Sequence, residues 1–211
     1  MFARPDQKHG RMPWAGAWKR VRLLLLASSL LACTVAYGAA RARDVQVRID
    51  PKPRNLRVEG VFRAKVPPVI AWKVLTDYDR IADFVHSMVS SQSRRDSSGR
   101  LRVRQVATGG VFIFHRKVEV LLAIEEESGR RIRFRDVSGR DFWHYHGEWR
   151  IEPDSLGVQV RYVLEAEPRA ALPRSLYRGI MKDAVGDLLS EVRAEMLRRA
   201  ADYPDPAPGR H

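Results

Sequence analysis

From about residue 45 onward, apolar and polar positions alternate with a period of two in a series of short runs, and one long run with helical spacing closes the series. Val45, Val47 and Ile49 alternate with polar residues until Pro51 and Pro53 end the pattern, and a second strand is predicted over Leu56 to Val66. Pro67-Pro68 then opens a helix, because proline lacks only a donor that a first turn leaves unused. Val69, Ala71, Trp72, Val74 and Leu75 form its apolar side. Thr76-Asp77-Tyr78-Asp79 breaks it, and a second short helix carries Ile81, Phe84 and Val85, with Asp77 placed to cap it. Six strands are predicted next: 88–94, 101–108, 111–126, 131–137, 141–152 and 158–167. Turn residues part them, among them Asp96-Ser97-Ser98-Gly99, Gly109-Gly110, Ser128-Gly129, Ser138-Gly139 and Pro153-Asp154. A helix from about Pro173 to Ala201 closes the domain, with Leu176, Ile180, Val185, Leu188, Val192 and Met196 at helical spacing. Strands that alternate need one covered face, and the long helix has one apolar stripe. The pattern therefore predicts an α+β domain in which a curved antiparallel sheet wraps the C-terminal helix, with two short helices after the first domain strand.

The N-terminal 40 residues follow a different rule. Lys19, Arg20 and Arg22 precede the apolar run Leu23 to Leu31, and small residues follow, the order of a secretory signal. The apolar core is shorter than the roughly 20 residues a bilayer span requires. Two endings fit: cleavage near Gly38, Ala39 or Ala40, or a lipobox at Leu30-Leu31-Ala32-Cys33 that would make Cys33 a lipidated N-terminus. Leu31 departs from the lipobox pattern, which favours ordinary cleavage. The organisation expected is a signal peptide over 1–40, a ligand-binding domain over 41–203 and a disordered tail over 204–211, where Pro204, Pro206 and Pro208 cluster. Export predicts a periplasmic or secreted domain, tethered to the membrane if the N-terminus stays in place.

Charge and cysteine narrow the function. The formal net charge is +13, and 32 basic against 24 acidic side chains lie in 41–211. Arg and Glu are interleaved there, without the dense basic stripe and neighbouring aromatics of a nucleic-acid surface, so no nucleic-acid partner is expected. Arg102, Arg104, Lys117, Arg131, Arg133 and Arg135 fall on the presumed outer face, as a solvated surface or as contacts to an anionic membrane. Cys33 is the one cysteine, so a domain cut after it has no disulfide, thiol nucleophile or cysteine zinc site. No Gly-x-Ser-x-Gly, phosphate loop or His-Glu-x-x-His occurs, and neither a cofactor nor a catalytic residue is assigned. His144 and His146 share a strand face with Glu148, but alternation turns them outward, away from Trp143, Tyr145 and Trp149, and no metal site is assigned to them. Asp77 and Asp79 sit at a helix start, where capping explains them better than paired acid–base chemistry.

The inward positions are more informative. Phe112, Phe114, Val118, Val120, Leu122 and Ile124 share one face of their strand, as do Trp143, Tyr145, Trp149 and Ile151, and Val158, Val160, Tyr162 and Leu164. Such a set is either plain core or the wall of a pocket with polar tips. Arg116 falls on the same alternation as Phe114 and Val118, where an enclosed guanidinium needs a partner, with Gln105, a carboxylate or ligand oxygens as the options; a bulge or strand end would instead free it to water. Gly186 in the long helix suggests either room for a ligand or close helix–sheet packing, since mid-helix glycine costs about 1 kcal/mol against alanine. The candidate cavity set is Trp72, Phe112, Phe114, Arg116, Trp143, Tyr145, Trp149, Tyr162, Ile180 and Gly186.

The stretch Val66-Pro67-Pro68-Val69-Ile70-Ala71-Trp72-Lys73-Val74-Leu75-Thr76-Asp77-Tyr78-Asp79-Arg80-Ile81-Ala82-Asp83-Phe84-Val85 resembles the opening of START-related proteins of the polyketide cyclase/dehydrase and coenzyme-Q-binding type. Gly147-Glu148-Trp149-Arg150-Ile151-Glu152-Pro153 and the terminal helix resemble them too, so the likeness covers about 56–200. The resemblance implies a helix-grip fold and an apolar ligand such as a lipid, quinone or polyketide-like molecule held between sheet and helix. An export signal departs from the cytoplasmic and mitochondrial members. The expectation is an exported binding or transfer protein for an apolar small molecule. The alternatives are a cyclase-like enzyme in which Tyr145, Arg116 and Tyr162 polarise a substrate, or a cytoplasmic interaction module if the N-terminus is not a signal.

Overall fold

The computed structural model describes residues 45–51, 55–109, 116–170 and 173–203, with the backbone alone at Pro51, Arg116 and Arg174. Eight strands form one antiparallel sheet: β1 (Val45–Pro51), β2 (Leu56–Ala64), β3 (Met88–Arg95), β4 (Leu101–Gly109), β5 (Arg116–Glu127), β6 (Arg131–Asp136), β7 (Phe142–Asp154) and β8 (Gly157–Pro168). Between β2 and β3 lie helix α1 (Pro68–Leu75), a 3-10 turn (Tyr78–Arg80) and helix α2 (Ile81–Phe84); α3 (Arg174–Ala201) follows β8. The order across the sheet is β1-β2-β8-β7-β6-β5-β4-β3. Consecutive strands from β3 to β8 pair as hairpins, as short turns require, and β2 closes onto β8 with Leu56 opposite Ala166 and Ala64 opposite Val158.

Alternation sets the core. Val58 and Phe62 of β2 and Val158, Val160, Tyr162 and Leu164 of β8 are all buried on the face that α3 covers. From α3, Val185, Leu189, Val192 and Met196 are buried, a stripe with the i, i+4, i+7, i+11 spacing of one helix face. Each such side chain stabilises the fold by about 1.5–3 kcal/mol. Leu189 was not in the stripe read from the sequence, and Leu176, which was, is 38% exposed. The helix packs tightly on the sheet at Gly60, where an added Cβ would collide with the Leu189 Cδ1 atom. Gly60 thus lets α3 pack directly on β2.

Candidate ligand cavity

Between α3 and strands β4 to β8 lies a cavity of about 110 Å3. Its sheet wall consists of Val103 and Gln105 of β4, Leu122 and Ile124 of β5, Ile132 and Phe134 of β6, Tyr145 and Trp149 of β7, and Tyr162 of β8. Leu188 and Val192 of α3 face them. Val74 and Leu75 of α1, Tyr78, and Ile81 and Phe84 of α2 close one side together with Met88. The lining is apolar with a few polar tips, the composition of a small-molecule site, although smaller than the roughly 300–1,000 Å3 common for such sites. It is nearer the size that takes one ring or the end of a chain, as dry cavities of roughly 150 Å3 do.

Each polar tip has an identifiable environment. The Tyr78 hydroxyl donates to a Glu126 carboxylate oxygen at 2.6 Å, and burial, followed by this bond, holds its proton far above the ordinary tyrosine range. The Gln105 amide donates to Ser91 Oγ at 3.4 Å. Tyr145 and Tyr162 interact through their hydroxyls, and burial raises both pKa values, that of Tyr162 strongly. Tyr162 is 3% exposed, while Tyr145 keeps some access, so the pair marks an enclosed end of the cavity. Rings support it: Trp149 lies 4.4 Å from Tyr162, Phe142 4.8 Å from Tyr145, and Phe134 about equally far from both, at 5.9 and 6.0 Å. Such ring pairs add about 0.5–1.5 kcal/mol beyond area burial. Gly147 makes room for Phe134, because a Cβ there would stand 2.7 Å from Phe134 Cζ.

The α1–turn–α2 segment is fastened from both sides. Asp77 pairs with Arg199 of α3 at 2.8 Å, and Arg199 also bonds the buried Glu195 at 2.6 Å and lies over the Phe84 ring. Two arginines, Arg198 foremost, lower the Glu195 pKa to about 2 despite its burial. Asp79 accepts from the Ser93 backbone N–H at 2.5 Å and from its hydroxyl at 2.8 Å, which ties the turn to β3. Neither aspartate therefore caps a helix as the sequence suggested; Asp77 sits before the 3-10 turn without a side-chain capping bond. Tertiary partners outcompeted the local backbone.

Of the sequence-predicted site residues, the structure brings together Tyr145, Trp149 and Tyr162 on the cavity wall. Trp143 is a correction: it points outward, 57% exposed, with the Arg169 guanidinium 3.5 Å from its ring centroid. A bulge between Phe142 and His144 breaks the alternation, so Phe142 takes the inward position. Gly186 is a second correction, since a Cβ there would meet Val47 of β1 at 3.9 Å and not the cavity. Trp72 and Ile180 are partly buried but do not line the cavity. Phe112 and Phe114 lie outside the described residues. The backbone of Arg116 opens β5 opposite Gly109, on the alternation of Val118 and Val120, and its side chain lies outside the description. His144 and His146 point outward, each 3.9 Å from a β8 glutamate, Glu167 and Glu165. The sequence reading missed Gln105, Phe134, Tyr78, Leu188 and Val192 as cavity residues; Phe134 was legible from its alternation with Ile132 on β6. On the outer face, Arg102, Arg104, Arg131 and Arg133 pair with Asp96, Glu119, Glu127 and Glu125, so much of that basic field is neutralised locally.

Solved structures share this architecture. A STAR-related lipid transfer protein from Xanthomonas axonopodis superposes with a TM-score of 0.60 at 18% identity, over 74% of this chain and 94% of that one. The Zhui aromatase/cyclase of Streptomyces sp. R1128 gives 0.58 at 20% identity, over 69% and 95%. A Thermus thermophilus protein, TTHA0849, gives 0.57 at 25% identity, over 69% and 99%. No curated protein matches the chain. The sequence profile of the family described as polyketide cyclase / dehydrase and lipid transport matches residues 56–202, from β2 through the end of α3. Sheet, gripped helix and matched span together make this chain a helix-grip member of the START superfamily, belonging to the polyketide cyclase / dehydrase and lipid transport family.

Proposed function

We propose that this chain is an exported carrier that holds an apolar small molecule, or one apolar end of a larger one, in the cavity between sheet and α3. The observation that carries the reading is the cavity wall: rings and aliphatic side chains with phenol hydroxyls at an enclosed end. The family description and the lipid-transfer and aromatase/cyclase relatives favour the same class of ligand. Carriage is favoured over catalysis because burial holds Tyr145 and Tyr162 protonated far above neutral pH. Such phenols donate hydrogen bonds but are poorly matched to proton transfer at neutral pH. Export rests on the basic–apolar–small order of the first 40 residues.

Two measurements test the proposal. Organic extraction and mass spectrometry of protein isolated from its native host should yield an apolar compound in near-stoichiometric amount, unchanged after re-binding. A compound returned chemically altered would favour the cyclase-type reading, and no bound compound would remove the carrier. N-terminal sequencing should place the mature start in the window from Cys33 to Arg41; full-length protein in the cytosol would remove export.

A further inference from the structure

On the outer face of the sheet, away from the ligand cavity, an alanine stands between two arginines. Val103, Leu122 and Phe134 point into the cavity, so alternation turns their neighbours Arg102, Ala123 and Arg135 to the opposite face. Ala123 of β5 pairs with Arg102 of β4 on one side and with Arg135 of β6 on the other. Strands lie about 4.8 Å apart, so the two arginines stand about 10 Å from each other across a side chain of a single carbon. Ala123 is buried although it faces outward. It is part of the floor of a notch of about 300 Å3, which Arg95 and Arg100, on either side of the β3–β4 turn, border together with Arg102 and Arg135.

These guanidinium groups hold more donors than the notch has acceptors. Asp96 pairs with both Arg100 and Arg102, at 3.2 and 2.9 Å, and also accepts from Ser98 and from the Arg100 backbone N–H. Arg95 donates to the Gly99 carbonyl at 2.8 Å. The Arg135 side chain makes no ion pair or hydrogen bond among the described residues. Glu125 and Glu126 also border the notch, but Arg133 draws the first, at 3.6 Å, and the Tyr78 hydroxyl bonds the second, at 2.6 Å. Arg94 of β3 stands opposite Arg102, and like charges facing each other across strands destabilise a sheet unless something offsets them. The Arg102 side chain is only 13% exposed, so its head is held in place. Each guanidinium is a planar fork of N–H donors that fits oxyanions. A carboxylate has two oxygens to offer such a group of forks, whereas a phosphate has three and nearly two charges. We infer that the Ala123 notch binds a phosphate group, free or esterified, with Arg102 and Arg135 closing on it from both sides.

The test is calorimetric titration of full-length protein with inorganic phosphate, glycerol 3-phosphate and acetate, in physiological salt that screens a diffuse field. Wild type should bind the phosphates at least about tenfold more tightly than acetate. Arg135→Gln removes a charge inside the notch. Arg104→Gln removes one from the same face outside it, where Glu119 already pairs with the arginine. Phosphate affinity should fall at least about tenfold in Arg135→Gln, the loss expected for a hydrogen bond to a charged group, and stay within about twofold in Arg104→Gln. Ala123→Val fills the floor with a residue suited to strands and leaves the charge unchanged. It should also weaken phosphate binding while circular dichroism shows a native melt; if it melts early, the two arginine variants decide. Tighter binding of glycerol 3-phosphate supports the site as one for an esterified phosphate such as a lipid headgroup carries, and tighter binding of inorganic phosphate supports it as one for the free ion. No binding of either phosphate at millimolar concentration would overturn the site, as would acetate binding equally well, equal losses in the two arginine variants, or a folded Ala123→Val that binds like wild type.

Discussion

The same substitution, glycine to alanine, should have opposite signs at two positions, because the structure surrounds their added Cβ atoms differently. Gly147 lies mid-strand in β7, between Phe134 of β6 and Leu164 of β8. An added Cβ would stand 2.7 Å from Phe134 Cζ and 3.1 Å from Leu164 Cα, and closer still to the Val163 carbonyl oxygen. Two of those atoms are backbone in a paired strand, so they cannot yield by rotating, and the cost belongs at the upper end of the roughly 1–3 kcal/mol of core overpacking. Gly186 is mid-helix, and its added Cβ would make an ordinary 3.9 Å contact with Val47 Cγ2. There alanine removes the roughly 0.8–1 kcal/mol that glycine costs a helix interior. For a domain of this size 1 kcal/mol moves the melting temperature by about 2–4 °C. Gly147→Ala should therefore lower Tm by about 6–12 °C, and Gly186→Ala should raise it by about 2–4 °C without changing ligand affinity. Differential scanning calorimetry of the two variants beside wild type decides the matter. A destabilised Gly186→Ala, or one with weakened binding, would return Gly186 to the cavity and refute the packing described here. A Gly147→Ala protein as stable as wild type would refute the close approach of β7, β8 and Phe134.

Acid should loosen the fastening of the α1–turn–α2 segment. The Glu195 pKa falls from 4.5 to about 2 through Arg198 and Arg199, so its stabilisation, roughly 2–3 kcal/mol, is fully present above pH 4.5 and is lost as pH falls through 2. Urea midpoints measured from pH 5 to pH 2 should drop less in Glu195→Gln than in wild type, and parallel curves would remove the ion-pair account. Fluorescence should separate the two β7 tryptophans: Trp149→Phe should lose the ligand-dependent change, whereas Trp143→Phe should keep it, because only Trp149 touches the cavity. A response that vanishes with Trp143 instead would place the ligand on the outer face.

The sequence by itself determined the elements, their order and most of their facing. Period-two runs broken by Gly, Pro, Asp and Ser reproduce β1 to β8 closely, and the helical run reproduces α3, because both periods follow from backbone geometry alone. Tyr145, Trp149 and Tyr162 were legible as wall residues for the same reason. What alternation could not see is where alternation fails. The bulge at Phe142–His144 exchanges Trp143 for Phe142, and a bulge is set by how neighbouring strands pair. The depth of α3 on the sheet was equally out of reach. It is fixed at Gly60, an ordinary strand glycine to the eye, and it moves Gly186 over β1 while leaving Leu188 and Val192 to face the cavity. Asp77 and Asp79 carry a local capping signal, yet partners further along the chain claim them: Arg199 offers Asp77 a charged partner, and Ser93 offers Asp79 its backbone N–H and its hydroxyl together, arrangements that only the fold brings within reach.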